Sequence, residues 1–253
     1  MNRFLLQVWS LAVRDLRHFV RQRSRVIGAI GQPFVLWVFL DAGFRHTLGG
    51  GERYGAYLYP GVIMLIALFS AIFSTISVIE DRKSGFLQGV LVAPVSAGAL
   101  VAGKLVAGTV LAMVQALLFL ILLPFSGMSV TPAGVLLGLV ALVPACLTLT
   151  GAGFLLAWRM RSTQGFHAII NLVLVPAWML SGSFFPAEGA AGWLQWIIAL
   201  NPLTSITTVF REAFLTGSAA AAGGPSLPLA LAVSLLALVV TVTLSITTVR
   251  VRA

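Results

Sequence analysis

The chain has 253 residues, of which 59% are hydrophobic and only 9% charged, with a mean hydropathy of +1.02. Soluble domains carry roughly a quarter charged residues, so this composition excludes an ordinary soluble domain and points to an integral membrane protein. The single cysteine, Cys146, excludes a disulfide framework and a cysteine-based zinc site, and the net charge of +9 reads as cytoplasmic loop lysine and arginine, not as a nucleic-acid surface.

Residues 1–25 read as an amphipathic helix at the inner membrane surface. Leu5, Val8, Trp9, Ala12, Val13, Leu16, Phe19 and Val20 recur at helical spacing on one face. Arg14, Arg17 and Arg21 fall on another, within reach of lipid phosphates. No small-residue cleavage site of a signal peptide follows the apolar start. Residues 26–253 read as one all-α membrane domain with six spans, at about 26–44, 58–79, 100–123, 133–158, 166–185 and 227–249. Gln32-Pro33 predicts a kink in the first span. Tyr54, Tyr57 and Tyr59 suit an interfacial aromatic belt at the start of the second.

Between spans two and three lies a loop, 80–99, that opens with Glu80, Asp81, Arg82 and Lys83. Phe86, Leu87, Val90 and Leu91 then share one helical face, Gly85 and Gly89 permit close approach, and Pro94 stops the element. A short helix of this kind could lay its apolar side in a groove of a soluble protein, with the four charges setting register. A solvated turn that only respects the positive-inside rule fits the composition equally well.

Between spans five and six, residues 186–217 form two apolar pieces of roughly 10–14 residues broken at Asn201-Pro202, the pattern of a re-entrant or interfacial hairpin at the outer surface. It carries Glu188, Arg211 and Glu212. Assigning loops to sides puts 13 of the 16 basic residues on one side, with net charges of +10 and −1 on the two sides. That side is cytoplasmic, and both termini lie on it.

No phosphate-binding loop of the Gly-x-x-x-x-Gly-Lys-Ser/Thr type occurs, so the chain does not itself bind ATP in that way. His18, His46 and His167 fall at different depths and cannot share a metal. Ser183 and His167 sit at opposite ends of their span, which weighs against an intramembrane hydrolase. Gly134 and Gly138 form a small-residue pair, a weak signal for helix association. Three classes stay open on the residues: a permease driven by a partner, an intramembrane enzyme, and an anchor or channel subunit.

Two motifs carry a resemblance. Ile79-Glu80-Asp81-Arg82-Lys83-Ser84-Gly85-Phe86-Leu87 through Pro94-Val95-Ser96, and Leu180-Ser181-Gly182-Ser183-Phe184-Phe185-Pro186 followed by Asn201-Pro202-Leu203-Thr204, resemble the corresponding blocks of the ABC-2 family of ABC-transporter permeases, in particular small bacterial drug- and lipid-exporter types. The resemblance covers essentially the whole chain. It departs after Thr204, where Ser205 and Ile206 stand in place of an aromatic and an acid, so no substrate transfers by analogy.

The resemblance implies a multi-pass permease of the bacterial inner membrane, a homodimer paired with two copies of a separate ATPase that binds ATP and magnesium; the permease holds no cofactor. It implies a coupling helix around Glu80–Leu91 and a bracing role for Arg14, Arg17 and Arg21. It also implies that spans two and five face the two-fold axis, with Phe69, Phe73, Asn171, Val175 and Trp178 along the substrate path; ordinary helix packing explains the same residues. The expected cargo is an amphipathic, drug-like or lipid-like compound, with polysaccharide, glycolipid or haem as the alternative.

Overall fold

The computed structural model describes residues 3–44, 54–185, 187, 190–215 and 224–250, whose regular structure is all helical, with no strand among them. The order is α1 (Arg3–Arg21), α2 (Arg23–Phe44), α3 (Tyr54–Ser74), α4 (Ile76–Lys83), α5 (Phe86–Val92), α6 (Ala97–Leu120), α7 (Pro132–Arg159), α8 (Thr163–Trp178), α9 (Gly192–Leu200), α10 (Pro202–Phe214) and α11 (Leu227–Arg250). The starts are set by local chemistry. Ser96, Thr131, Ser162 and Asn201 each accept a backbone N–H of the first turn of α6, α7, α8 and α10, and Pro132 and Pro202 occupy the first helical position, where no N–H is needed.

Among the described residues, five stretches are long and apolar enough to cross a membrane: Tyr54–Lys83, Ala97–Leu120, Pro132–Arg159, Thr163–Ser183 and Leu227–Arg250. They correspond to the second through sixth expected spans. The first expected span is α2, which runs through Pro33 as one helix; its described apolar part, Pro33–Gly43, is shorter. The expected outer loop at 46–57 lies mostly outside the described residues.

The arrangement is centred on α3, which packs against α2, α6 and α7. Nearly every residue from Leu58 to Ile72 is buried. In the apolar window of Tyr54–Lys83, 89% of residues are buried, against 22% for Thr163–Ser183 and 11% for Leu227–Arg250. Phe69, expected along the substrate path, is buried within the chain, because a helix apolar all round satisfies itself by packing on every side, whereas Phe73 one turn on is only half-buried.

The second span also ends later than expected. Ser74 and Thr75 turn their hydroxyls back onto the carbonyls of Ala71 and Ile72, both at 2.6 Å, which breaks the helix without ending it. α4 then carries the chain helically through the four charges to Lys83. The fifth span finishes in a single π-type turn, Met179–Ser183, where Gly182 takes φ +73°. The hairpin that follows has its break at Asn201 as expected, with α9 and α10 on either side.

The glycine pair in α7 serves the chain itself. A Cβ on Gly134 or Gly138 would strike Phe214, at 2.5 Å from its carbonyl oxygen and 2.8 Å from its ring respectively, so this face receives α10.

Candidate functional site

Lys104 is the eighth residue of α6 and is only 4% exposed. A lysine buried in an apolar helix must find counter-charges, and it finds two. Its Nζ is 2.5 Å from Asp81 Oδ2 and 2.7 Å from Asp15 Oδ2, and it donates to Ser77 Oγ at 3.1 Å. Asp81 in turn receives a two-pronged grip from Arg14, whose Nη2 lies 2.6 Å from Oδ1 and whose Nη1 lies 3.0 Å from Oδ2. Arg14 also meets Asp15 Oδ1 at 3.1 Å. The four charges sum to zero, which is what makes their burial tolerable. Burial alone would lower the pKa of the Arg14 guanidinium, but hydrogen bonding and charge from Asp81, then Asp15, outweigh it and raise the pKa above its ordinary value.

This knot ties three helices: α1 through Arg14 and Asp15, α4 through Ser77 and Asp81, and α6 through Lys104. It reaches α5 as well, since the Arg14 Cζ lies 3.5 Å from the centroid of the Phe86 ring. Further ties surround it. His18 Nε2 is 3.5 Å from Glu80 Oε2, and Gln7 Nε2 donates to the Pro94 carbonyl at 2.8 Å. Arg82 donates to the carbonyls of Trp158 and Met160 at 2.7 and 3.0 Å, covering the free carbonyls at the end of α7.

The expected short helix is present as α5, reached through Gly85 at φ +77°, a conformation that favours glycine. Its apolar face points the opposite way from the expectation. Leu87 is buried in the core, and Phe86 and Val90 are half-buried, so the face predicted for a foreign groove lies against the chain's own helices. The Leu91 side chain lies outside the described residues. Asp81 and Arg82, expected to set register with a partner, are held internally because buried charges need partners closer than a second protein. What the elbow offers outward is Lys83, Ser84, Gln88, Gly89 and Val92, the last 89% exposed.

The N-terminal helix departs from expectation in the same sense. Phe4, Leu11 and Phe19 meet α6 at Gly98, at Gly103 and beside Ala107 and Leu111, in that order, so α1 runs alongside α6 in the same direction. Arg14 therefore turns inward, away from the lipid phosphates expected for it, while Arg17 and Arg21 remain exposed. Trp9 and Val20, expected on the apolar face turned to the membrane, are 65% and 64% exposed.

Sequence reading missed Asp15, Ser77 and Lys104. The available signal was Lys104 itself, a lone cation just inside an apolar run, read as the flank of a span.

The expected substrate-path residues divide. Trp178 is buried and its indole donates to the Gly61 carbonyl at 2.8 Å, a tie between α8 and α3. Phe73 is partly exposed, between Phe69 and His167, each at a ring distance of 5.2 Å. Val175 is half-buried, and Asn171 is exposed on α8 beside Leu172 and Val173.

In the hairpin, Asn201 is a junction. Its Oδ1 caps α10 at Leu203 N, and its Nδ2 donates to the carbonyls of Ala177 and Leu180 at 2.6 and 3.2 Å. Pro202 starts α10, Arg211 lies over Tyr57, and Glu212 is half-buried; Glu188 lies outside the described residues. Asn201→Ala removes the cap and the two amide bonds to the Ala177 and Leu180 carbonyls, the second of which still receives Thr204 Oγ1, and we expect a loss of about 1–2 kcal/mol in thermal unfolding of the detergent-solubilised chain. The Ser183 hydroxyl pairs with Ser181 at 2.7 Å while the His167 ring packs tilted against Phe73, so these two do not form a nucleophile–base pair.

A charge-fastened elbow on a helical membrane body invites comparison with transporters, and the ABC-2 type transporter profile matches residues 6–215. The chain belongs to the ABC-2 type transporter family. It is 26% identical over 226 residues to the daunorubicin resistance ABC transporter permease protein DrrB1 of Streptomyces coeruleorubidus, covering 82% of this chain and 73% of that one. It is 26% identical over 211 residues to nodulation protein J of Neorhizobium galegae, covering 76% and 74%. It is 27% identical over 169 residues to the "Probable multidrug ABC transporter permease YbhR" of Escherichia coli K12, covering 64% of this chain and 44% of that protein, so it spans less than half of that relative's length. As an ABC-2 permease component, this chain has its charge knot and elbow inside the matched region, together with the Asn201 junction.

Proposed function

We propose that this ABC-2 permease is the membrane half of an ATP-driven exporter of an amphipathic, drug-like compound. Two copies assemble with two copies of a separate ATPase, in the bacterial inner membrane with both termini in the cytoplasm and α2 as the sixth crossing. The observation that carries the reading is the knot of Arg14, Asp15, Asp81 and Lys104, which fastens α1, α4 and α6 together directly behind an elbow whose opposite side is open. A push on the elbow is then delivered to α3 and α6 as one body, because packed interiors transmit displacement and do not absorb it. Lys83, Gln88 and Val92 are the grip for the ATPase, and Arg17 and Arg21 brace it from α1. The weakly packed outer face of α8, with Asn171, Val175 and the neighbouring Phe73, faces the second copy and the cargo.

The test is transport in proteoliposomes holding the chain with the ATPase that co-purifies with it. Lys83→Glu combined with Val92→Asp is expected to lower ATP-coupled export about tenfold or more, as loss of a central interface anchor does. The unfolding temperature should stay unchanged, because both side chains face solvent. Wild-type export rates in that variant would refute the grip.

A further inference from the structure

Arg211 stands near the C-terminal end of α10 and is 5% exposed. Its guanidinium lies 4.4 Å from the Tyr57 ring centroid, and Nη2 donates to the Tyr57 carbonyl at 3.2 Å. Its Nε has no hydrogen-bond partner, and no carboxylate pairs with it among the described residues. At the opposite end of the same body, every buried cation in the knot has an acid. The positions one turn back on the Arg211 face are hydroxyls, Thr207 and Thr208, and Thr208 Oγ1 is engaged by the Thr204 carbonyl. Glu212, the next residue, projects about 100° away around the helix.

The walls around this cation are aromatic. Tyr57, which donates its hydroxyl to the Gly182 carbonyl at 2.7 Å, stacks with Tyr54 at 6.4 Å, and Phe184 stands edge-on to Tyr54 at 6.4 Å. A ring face and a carbonyl attract a cation but do not neutralise it. A buried cation with a free N–H beside an aromatic wall is half of a recognition site.

We propose that Arg211 is the counter-charge for an anionic group, a carboxylate, sulfonate or phosphate, carried on an apolar or aromatic body that lodges against Tyr54 and Tyr57 at the outer end of the permease. This rests on the exporter reading and narrows its cargo to anionic amphiphiles. The anion belongs either to the cargo or to an outer-leaflet lipid headgroup.

Binding separates the possibilities. The full chain in phosphatidylcholine nanodiscs is titrated with two fluorescent naphthalenes of similar body, anionic 1-anilinonaphthalene-8-sulfonate and uncharged N-phenyl-1-naphthylamine. Arg211→Gln is expected to weaken saturable sulfonate binding about tenfold and to leave the uncharged probe unchanged. Arg211→Lys retains most of the sulfonate affinity. Thr208→Asp, which sets an acid one turn away, weakens it while keeping the arginine. Competition by added phosphatidylglycerol assigns the anion to a lipid headgroup, and its absence assigns it to the cargo.

Sulfonate affinity within about twofold of wild type in Arg211→Gln, or parallel loss of both probes, overturns the inference. So does tighter sulfonate binding on Glu52→Gln or Glu188→Gln, since that reveals an internal counter-ion; both acids lie outside the described residues. ATP-dependent export of the sulfonate probe by the wild-type reconstituted complex tests the exporter reading separately from the Arg211 variants, so either can fail alone.

Discussion

Lys104→Met is expected to cost about 3–5 kcal/mol of stability, a large share of the roughly 5–15 kcal/mol that holds a folded domain together. The methionine fills much of the same space, so the loss is electrostatic. Without Lys104, the carboxylates of Asp15 and Asp81, 7% and 5% exposed, share the single charge of Arg14. Asp81→Asn is expected to do nearly as much harm, leaving Arg14 and Lys104 with Asp15 alone.

The double variant decides whether the knot is a matched set. With both changes only Arg14 and Asp15 remain charged, already 3.1 Å apart, and stability should recover by at least half of the single-variant loss. Coupled export should not recover, because α4 and α6 have lost their shared bond. Thermal unfolding followed by tryptophan fluorescence, alongside transport, reads both. Single variants that unfold within about 0.5 kcal/mol of wild type would show that the four charges are ordinary surface pairs.

Gly103→Leu is expected to be the next largest effect. A Cβ at this position would stand 2.8 Å from the Leu11 Cβ and 3.2 Å from the Val8 carbonyl oxygen, so α1 must move off α6. Overpacking of this kind costs about 1–3 kcal/mol. The displaced helix also pulls on the Arg14–Asp81 bonds and on the link from Gln7 to Pro94. Hydrogen exchange should report the change locally: amides of α1 and α5 exchange faster while those of α3 keep their protection. Faster exchange in α3 with α1 unchanged would refute α6 as the seat of α1.

These two variants touch what was least legible in the sequence. The spans were readable because apolar runs of about 20 residues have few other uses. α5 was readable from Phe86, Leu87 and Val90 at helical spacing, and the hairpin break from Asn201-Pro202. The direction each face points was not. Periodicity shows that Arg14 and Leu11 lie on different sides of a helix, but not that another helix carries an acid for the first and a glycine for the second. The centre of the bundle was equally hidden. Tyr54–Lys83 and Leu227–Arg250 share a mean hydropathy of 2.6, yet one is enclosed and the other is peripheral. Lipid tails and a protein interior are similarly apolar, so composition cannot separate the two. The role of the Leu180–Phe185 motif became clear only in three dimensions, where its carbonyls receive Tyr54, Tyr57 and Asn201.

The pairing of α1 with α6 sets a schedule for biogenesis. Lys104 leaves the ribosome 89 residues after Asp15 (positions 15 and 104), which at about 5–20 residues per second is a delay of roughly 5–20 s. During that interval Arg14 and Asp15 are without Lys104, and Asp81 emerges before its lysine does. Helix α1 is thus synthesised well before α6, the helix that holds it, so this end of the bundle closes only once α6 has been made.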